Sequence, residues 1–182
     1  MADKLIYWDS CCFIGLIQQE AGRYLACKSL YAVAERGDLI IVTSSLTLAE
    51  VCKVRCERNA NKKDGLPEEN DHVLYNFFNN DFFELVDVSP VIATSARSLF
   101  RRHPESGKPN DALHLATALF RSVDEMHTFD GNDLLALNGQ IQRRDDEPLP
   151  IKIPEIYQPK MTSLERAMAG KSVEDKDDKA TD

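Results

Sequence analysis

Four acidic residues stand where a carboxylate has more than one use. Asp9 ends the apolar run Leu5-Ile6-Tyr7-Trp8, Glu50 follows the run Leu39-Ile40-Ile41-Val42 and a short amphipathic segment, Asp111 opens a stretch rich in small residues, and Asp130 precedes Gly131. Singly, each has a structural role: Asp9 can cap a helix, Glu50 can complete a capping box with Thr47, Asp111 suits a helix N-terminus, and Asp130 suits a turn. Independent capping needs would not bring all four to one rim of one sheet. Two carboxylates about 4 Å apart repel by roughly 4 kcal/mol at an effective dielectric of 20, so such a cluster calls for a cation or a proton. Oxygen ligands without His or Cys point to Mg²⁺ or Mn²⁺ rather than Zn²⁺.

The elements that would position these acids alternate in type. An apolar first strand delivers Asp9, and Ser10 is the expected N-cap of a helix from Cys11 to Gln19. A helix over about Arg23 to Arg36 leads to the strand Leu39 to Val42, whose unbroken apolar character suits burial on both faces. The segment opening at Ser44 is expected to be helical through Glu50 to about Arg58, followed by an exposed loop from Asn59 to Pro67. Helices over Glu68 to Asn80 and Val91 to Arg102 flank a strand at Phe82 to Val88. A helix from Asn110, a short strand at Glu125 to Phe129, a helical turn at Leu134 to Leu137 and an edge strand at Ile151 to Ile153 complete the pattern. Strands alternating with helices predict an α/β domain with a mostly parallel sheet of four or five strands, whose functional crevice lies beyond the strands' carboxyl ends.

Composition sets the class. A chain of 182 residues, 43% hydrophobic, is long enough for one proper core, expected over residues 1–158, with a charged tail over 159–182. The five cysteines, Cys11, Cys12, Cys27, Cys52 and Cys56, are not spaced as a disulfide framework, so reduced and mostly buried thiols are expected. The sequence contains no apolar run able to span a bilayer, and its start, Met-Ala-Asp-Lys, is not followed by a long apolar segment; a cytoplasmic location is the expectation. A net charge of -8 argues against a protein that coats nucleic acid through bulk electrostatics, but not against an enzyme that acts on it.

The segments Ile6-Tyr7-Trp8-Asp9-Ser10, Ser45-Leu46-Thr47-Leu48-Ala49-Glu50-Val51, Asn110-Asp111-Ala112-Leu113-His114-Leu115-Ala116-Thr117-Ala118 and Thr128-Phe129-Asp130-Gly131-Asn132-Asp133 resemble, in order and spacing, the four motifs of PIN-domain nucleases, particularly the VapC-like toxin branch. The resemblance covers about residues 4 to 153. It implies a three-layer, Rossmann-like PIN fold and Mg²⁺- or Mn²⁺-dependent cleavage of RNA by in-line attack of water, leaving a 5′-phosphate and a 3′-hydroxyl. It further implies Asp9, Glu50, Asp111 and Asp130 as the catalytic metal site, with Asp9, Asp111 and Asp130 touching the cation and Glu50 acting through water. Ser10, Thr128 and Asp133 are supporting candidates. One departure is Cys11, which stands where the family often has Ser or Asn. A polar contact near the metal would then be missing or supplied by Ser10.

Lys53, Arg55, Arg58, Lys62 and Lys63 follow Glu50, and Arg97, Arg101, Arg102, His103 and Lys108 precede Asp111. They are candidates for RNA phosphate contacts, chiefly Lys53, Arg55, Arg58, Arg101, Arg102 and Lys108, and equally for solvated helix faces or a protein partner. A cognate antitoxin and a homodimer are the expected partners of a toxin. Tyr7 and Trp8 read as core, His114, one turn beyond Asp111, as a helix-surface residue or one that approaches the substrate, and Cys52 with Cys56, one helical turn apart, as buried packing rather than half a metal site. Phe77, Phe78, Phe82 and Phe83 read as core or an oligomer surface. Competing functions are a PIN-like module that binds RNA or protein without cutting, and a metal-dependent phosphatase of small phosphoesters. A receiver domain is disfavoured by the lack of an adjacent acidic pair after the first strand.

Overall fold

The computed structural model describes residues 4–61 and 65–157. Five strands, β1 (Lys4–Trp8), β2 (Leu39–Ser44), β3 (Phe83–Val86), β4 (Glu125–His127) and β5 (Ile151–Lys152), form one sheet in the order β3-β2-β1-β4-β5. Every neighbouring pair is parallel. Six α-helices connect or flank them: α1 (Ser10–Ile17), α2 (Tyr24–Glu35), α3 (Leu46–Glu50), α4 (Glu68–Phe78), α5 (Pro90–Arg102) and α6 (Pro109–Arg121).

The central strand explains the layering. Successive side chains of β1 point to opposite faces, so Ile6 and Trp8 join the core built with Phe13, Leu30, Val33 and Phe78 from α1, α2 and α4. Tyr7 joins the second core, with Ile92, Leu99, Leu115 and Ala116 from α5 and α6. Burial on both faces is why the run from Ile6 to Trp8 is apolar without interruption. Phe13 stacks edge-on to Trp8 and meets Phe77, Phe78 and Phe83, so the aromatic concentration is core. The chain moves from β1 through β2 to β3 on one side and adds β4 and β5 on the other. The crevice where this order reverses lies beyond the carboxyl ends of β1 and β4.

Several expectations change. Asp9, not Ser10, is the N-cap of α1: its side chain accepts the Cys12 N–H, and Ser10 is the first helical residue. α3 ends at Glu50, not near Arg58. The backbone leaves helical geometry at Val51 (φ -90°, ψ 78°), and the buried Glu57 carboxylate accepts the Val54 N–H at 3.0 Å and the Asn70 amide at 2.8 Å. Local hydrogen bonding therefore replaces the helix, leaving only one 3₁₀ turn at Arg55–Glu57. Cys52 and Cys56 consequently do not share a helix face, and both are exposed; Cys12 and Cys27 are buried, and all five thiols are free. The loop residues Lys62 and Lys63 and the tail 159–182 lie outside the described residues. No described helix is long and apolar enough to cross a membrane.

Candidate metal centre

Asp9 leaves β1 at the sheet's carboxyl edge and is only 4% exposed. Its Oδ1 accepts from the Cys12 N–H at 3.3 Å and from the Cys11 thiol at 2.7 Å, while Oδ2 accepts from the Thr128 hydroxyl at 2.5 Å. Thr128 Oγ1 in turn accepts the Asp130 N–H at 2.9 Å, so one threonine ties the end of β1 to the turn after β4. Cys11 Sγ also accepts the Phe129 N–H at 2.9 Å. The polar contact expected to be missing at position 11 is thus made by the thiol itself.

Asp111, Asp130 and Asp133 form the densest acidic group: one carboxylate oxygen from each lies within 4.8 Å of the others. Local capping aims them there. Asp111 accepts the Lys108 N–H at 3.0 Å in the first turn of α6, and Asp130 accepts the N–H groups of Asn132 and Asp133 at 3.3 and 3.1 Å. Gly107 admits Asp133 from the side, because a Cβ on its φ +76° backbone would fall 2.0 Å from Asp133 Oδ2. Burial, with Asp130 and Asp133 adding repulsion, pushes the Asp111 carboxyl above its ordinary range, against the pull of the Lys108 N–H. Among the described residues, none of Asp9, Asp111, Asp130 and Asp133 forms an ion pair with a lysine, arginine or histidine.

Glu50 is anchored differently. Asn110 Nδ2 donates to Oε1 at 3.0 Å, and His114 Nε2 lies 2.8 Å from Oε2. Burial raises the Glu50 carboxyl, but the hydrogen bond from His114, with the Ser10 hydroxyl and Asn110 adding to it, carries it below the usual range. The Thr47 hydroxyl bonds Thr43 Oγ1 instead, so no capping box with Glu50 forms. His114, expected on a helix surface, is 2% exposed, with Nδ1 2.8 Å from the Tyr7 hydroxyl. Its position one turn after Asn110 on α6 is the only sequence signal that could have placed it near Glu50.

Oxygen donors fit a hard divalent cation here. Asp111, Asp130 and Asp133 converge without an ion-pair partner among the described residues, and Thr128 ties the Asp9 carboxylate to the Asp130 backbone N–H; of the four expected acids, Asp9 and Glu50 are not part of that three-carboxylate group. Cys11 and Cys12 also approach Asp9, but the Cys11 thiol proton is directed at Asp9, and burial pushes the Cys12 thiol well up, so neither is a thiolate ligand. Of the basic candidates, Arg55, Arg101, Arg102 and Lys108 are exposed. Arg58 lies 3.8 Å from Glu20, and Lys53 Nζ donates to the Ala60 carbonyl at 2.7 Å. Both therefore have structural partners as well.

The all-parallel sheet with acids at its carboxyl edge defines an α/β domain of one kind, and the sequence matches the PIN domain over residues 6–137. The chain belongs to the PIN domain family. Among solved structures it is similar to VapC20 of Mycobacterium tuberculosis, described as a toxin that cleaves the sarcin–ricin loop (18% identity, TM-score 0.53), covering 70% of this chain and 91% of that one. It is also similar to VapBC2 of Rickettsia felis, solved with a DNA fragment of its promoter (15% identity, TM-score 0.52; 83% of this chain, 99% of that). A third is FitAcB of Neisseria gonorrhoeae (16% identity, TM-score 0.50; 82% and 97%). At these identities the likeness concerns the fold. No protein of curated function matches the sequence.

Proposed function

We propose that the chain is a divalent-metal-dependent endoribonuclease, the toxin of a toxin-antitoxin pair. The observation that carries this reading is the convergence of Asp111, Asp130 and Asp133 beside the Thr128-held Asp9, uncompensated by basic side chains, at the switch-point crevice of a PIN domain. Asp9, Asp111 and Asp130 would hold Mg²⁺ or Mn²⁺, with Asp133 supporting them. When bound, the cation supplies charge neutralisation at a scissile phosphate and acidification of water. Thr128 fixes the Asp9 carboxylate and the Asp130 backbone together, which keeps two of these donors in register. Glu50, tied down by Asn110 and His114, would orient the attacking water. Lys108, Arg101 and Arg102, just before Asp111 in the chain, would engage neighbouring phosphates, as would Lys53, Arg55 and Arg58 on the Glu50 side.

A toxin role, a cognate antitoxin, a homodimer and a cytoplasmic location extend the same reading. The likeness to the VapC20 toxin supports the first, and the exposed Val91 and Phe120 on α5 and α6 offer apolar surface for the third. The test is incubation with a mixed pool of cellular RNA in Mn²⁺, Mg²⁺ or EDTA, alongside Asp9→Asn. Cleavage that requires Mn²⁺ or Mg²⁺ and is lost in Asp9→Asn is expected. Cleavage that survives EDTA sinks the metal mechanism, and metal binding with no cleavage of any RNA favours a non-cutting module.

A further inference from the structure

Glu50 differs from the other acids in having both carboxylate oxygens engaged by side chains of α6. The His114 contact continues inward. His114 Nδ1 lies 2.8 Å from the Tyr7 hydroxyl, and that hydroxyl accepts the Ser44 N–H at 3.2 Å. Tyr7 is fully buried and His114 nearly so, and their rings meet edge-on with centroids 5.9 Å apart. The Glu50 carboxylate can only accept, so it requires the hydrogen at Nε2, which leaves Nδ1 of a neutral imidazole to accept from the Tyr7 hydroxyl while the Ser44 amide donates to that hydroxyl's oxygen. His114 then has one hydrogen left to give, on Nε2, and Glu50 Oε2 is its acceptor at 2.8 Å.

We propose that Tyr7 and His114 are positioning residues for Glu50: with Glu50 accepting at Nε2 and the Tyr7 hydroxyl donating to Nδ1, the imidazole is pinned at both nitrogens and fixes the carboxylate that orients the attacking water. The chain of donors runs from the β2 backbone through β1 to α6 and out to α3, so it links four elements, with β1 and α6 far in sequence from the consecutive β2 and α3. It also explains a buried histidine, since an imidazole is the side chain that can accept from a tyrosine at one nitrogen and donate to a carboxylate at the other. Asn110 holds the second Glu50 oxygen, so loss of His114 loosens the carboxylate rather than releasing it. The role assigned to Glu50 rests on the nuclease reading; the tautomer does not.

Two measurements test the assignment. Long-range ¹H–¹⁵N NMR of histidine-labelled protein is expected to show His114 protonated at Nε2 and bare at Nδ1, with the Nδ1 resonance shifting in Tyr7→Phe as it loses its hydrogen-bond donor. With Mn²⁺ and the most rapidly cut RNA of a cellular pool, His114→Leu is expected to lower kcat by about tenfold while KM changes by less than about twofold. His114→Gln, whose amide can donate to Glu50, should recover most of that loss, with Tyr7→Phe in between. Mn²⁺ affinity, read by calorimetry, should be nearly unchanged in His114→Gln and Tyr7→Phe, because the three-aspartate group is intact. An Nδ1–H tautomer in the wild type overturns the proposal, as does a folded His114→Leu with wild-type kcat, or a Gln variant no better than Leu. If the wild-type protein cuts no RNA, the nuclease reading fails, and the tautomer with its Nδ1 shift in Tyr7→Phe alone decides whether Tyr7 and Glu50 pin His114.

Discussion

Two groups of charge on this sheet are built in opposite ways. Glu125, on β4, is met by Lys4 at 3.0 Å, Lys152 at 2.9 Å and His127 at 2.9 Å. Burial alone would raise its carboxyl, but His127, Lys152 and Lys4 together hold it far below the usual range. At the carboxyl edge, Asp111, Asp130 and Asp133 face one another with no basic partner among the described residues, and the Asp111 carboxyl is pushed up instead. One carboxylate with three basic neighbours is satisfied by the fold. Three carboxylates without an ion-pair partner repel one another, which costs the fold stability and suits the cation proposed above.

Removing a member of the uncompensated group should give the largest effect. Asp111→Asn is expected to lower RNA turnover by about a thousandfold or more while leaving the apo protein as stable as the wild type or slightly more so. A thermal melt alongside the cleavage assay checks both halves, and a marked loss of apo stability would erase the contrast with Glu125. Next, Mn²⁺ at about a hundred times its Kd should stabilise the wild type by about 2.7 kcal/mol, with no gain in Asp111→Asn. Denaturant titrations with and without the metal read this directly; equal gains in both proteins would place the cation elsewhere.

Gly107→Ala sharpens the geometry of the cluster. Its Cβ would collide with Asp133 from a φ +76° backbone, so Mn²⁺ affinity is expected to fall by about tenfold with the four principal acids untouched. Unchanged affinity by calorimetry would remove Asp133 from the site. Glu125→Gln tests the other group: a loss of about 1–2 kcal/mol is expected, discounted because Lys4 and Lys152 are half exposed and regain water, with RNA cleavage unaltered. A urea midpoint equal to the wild type's would show that the fold does not lean on this group.

The smallest expected effect is on pH dependence. Burial depresses the His127 imidazole despite Glu125 nearby, so its contribution is present above the unfolded value of about 6.5 and declines as pH falls below it. Glu125, also depressed, contributes above its unfolded value and loses that contribution as pH drops below about 4.5. Stability should therefore fall in two stages on acidification, and Glu125→Gln should blunt the second. A melting temperature flat from about pH 7 to pH 5 would contradict the His127 shift, and one flat from about pH 5 to pH 3 the Glu125 shift.

Much of the architecture was legible because parallel strands buried on two faces must be continuously apolar: Leu5 to Trp8 and Leu39 to Val42 could be little else. The end of α3 was not, since Val51 to Glu57 carries helical spacing and is unwound by a buried Glu57 that meets Asn70 from α4. Local chemistry showed Asp9, Asp111 and Asp130 as capping or turn residues, and they do cap. The same capping bonds orient their carboxylates toward the rim, so the structural and functional readings are not alternatives.

Glu125 was passed over entirely, because its partners lie 121 and 27 positions away as well as two. His114 read as surface, because nothing local reveals that Tyr7 waits beneath it. Residue types and their order determined the strands, the caps and the four acids at strand ends and helix termini. Only the tertiary structure decided which charges are compensated, that Cys11 serves as a polar neighbour to Asp9, and that Asp133 joins Asp111 and Asp130. Those outcomes depend on contacts between segments far apart in the chain, and electrostatic and hydrogen-bond energies are set by distance in space.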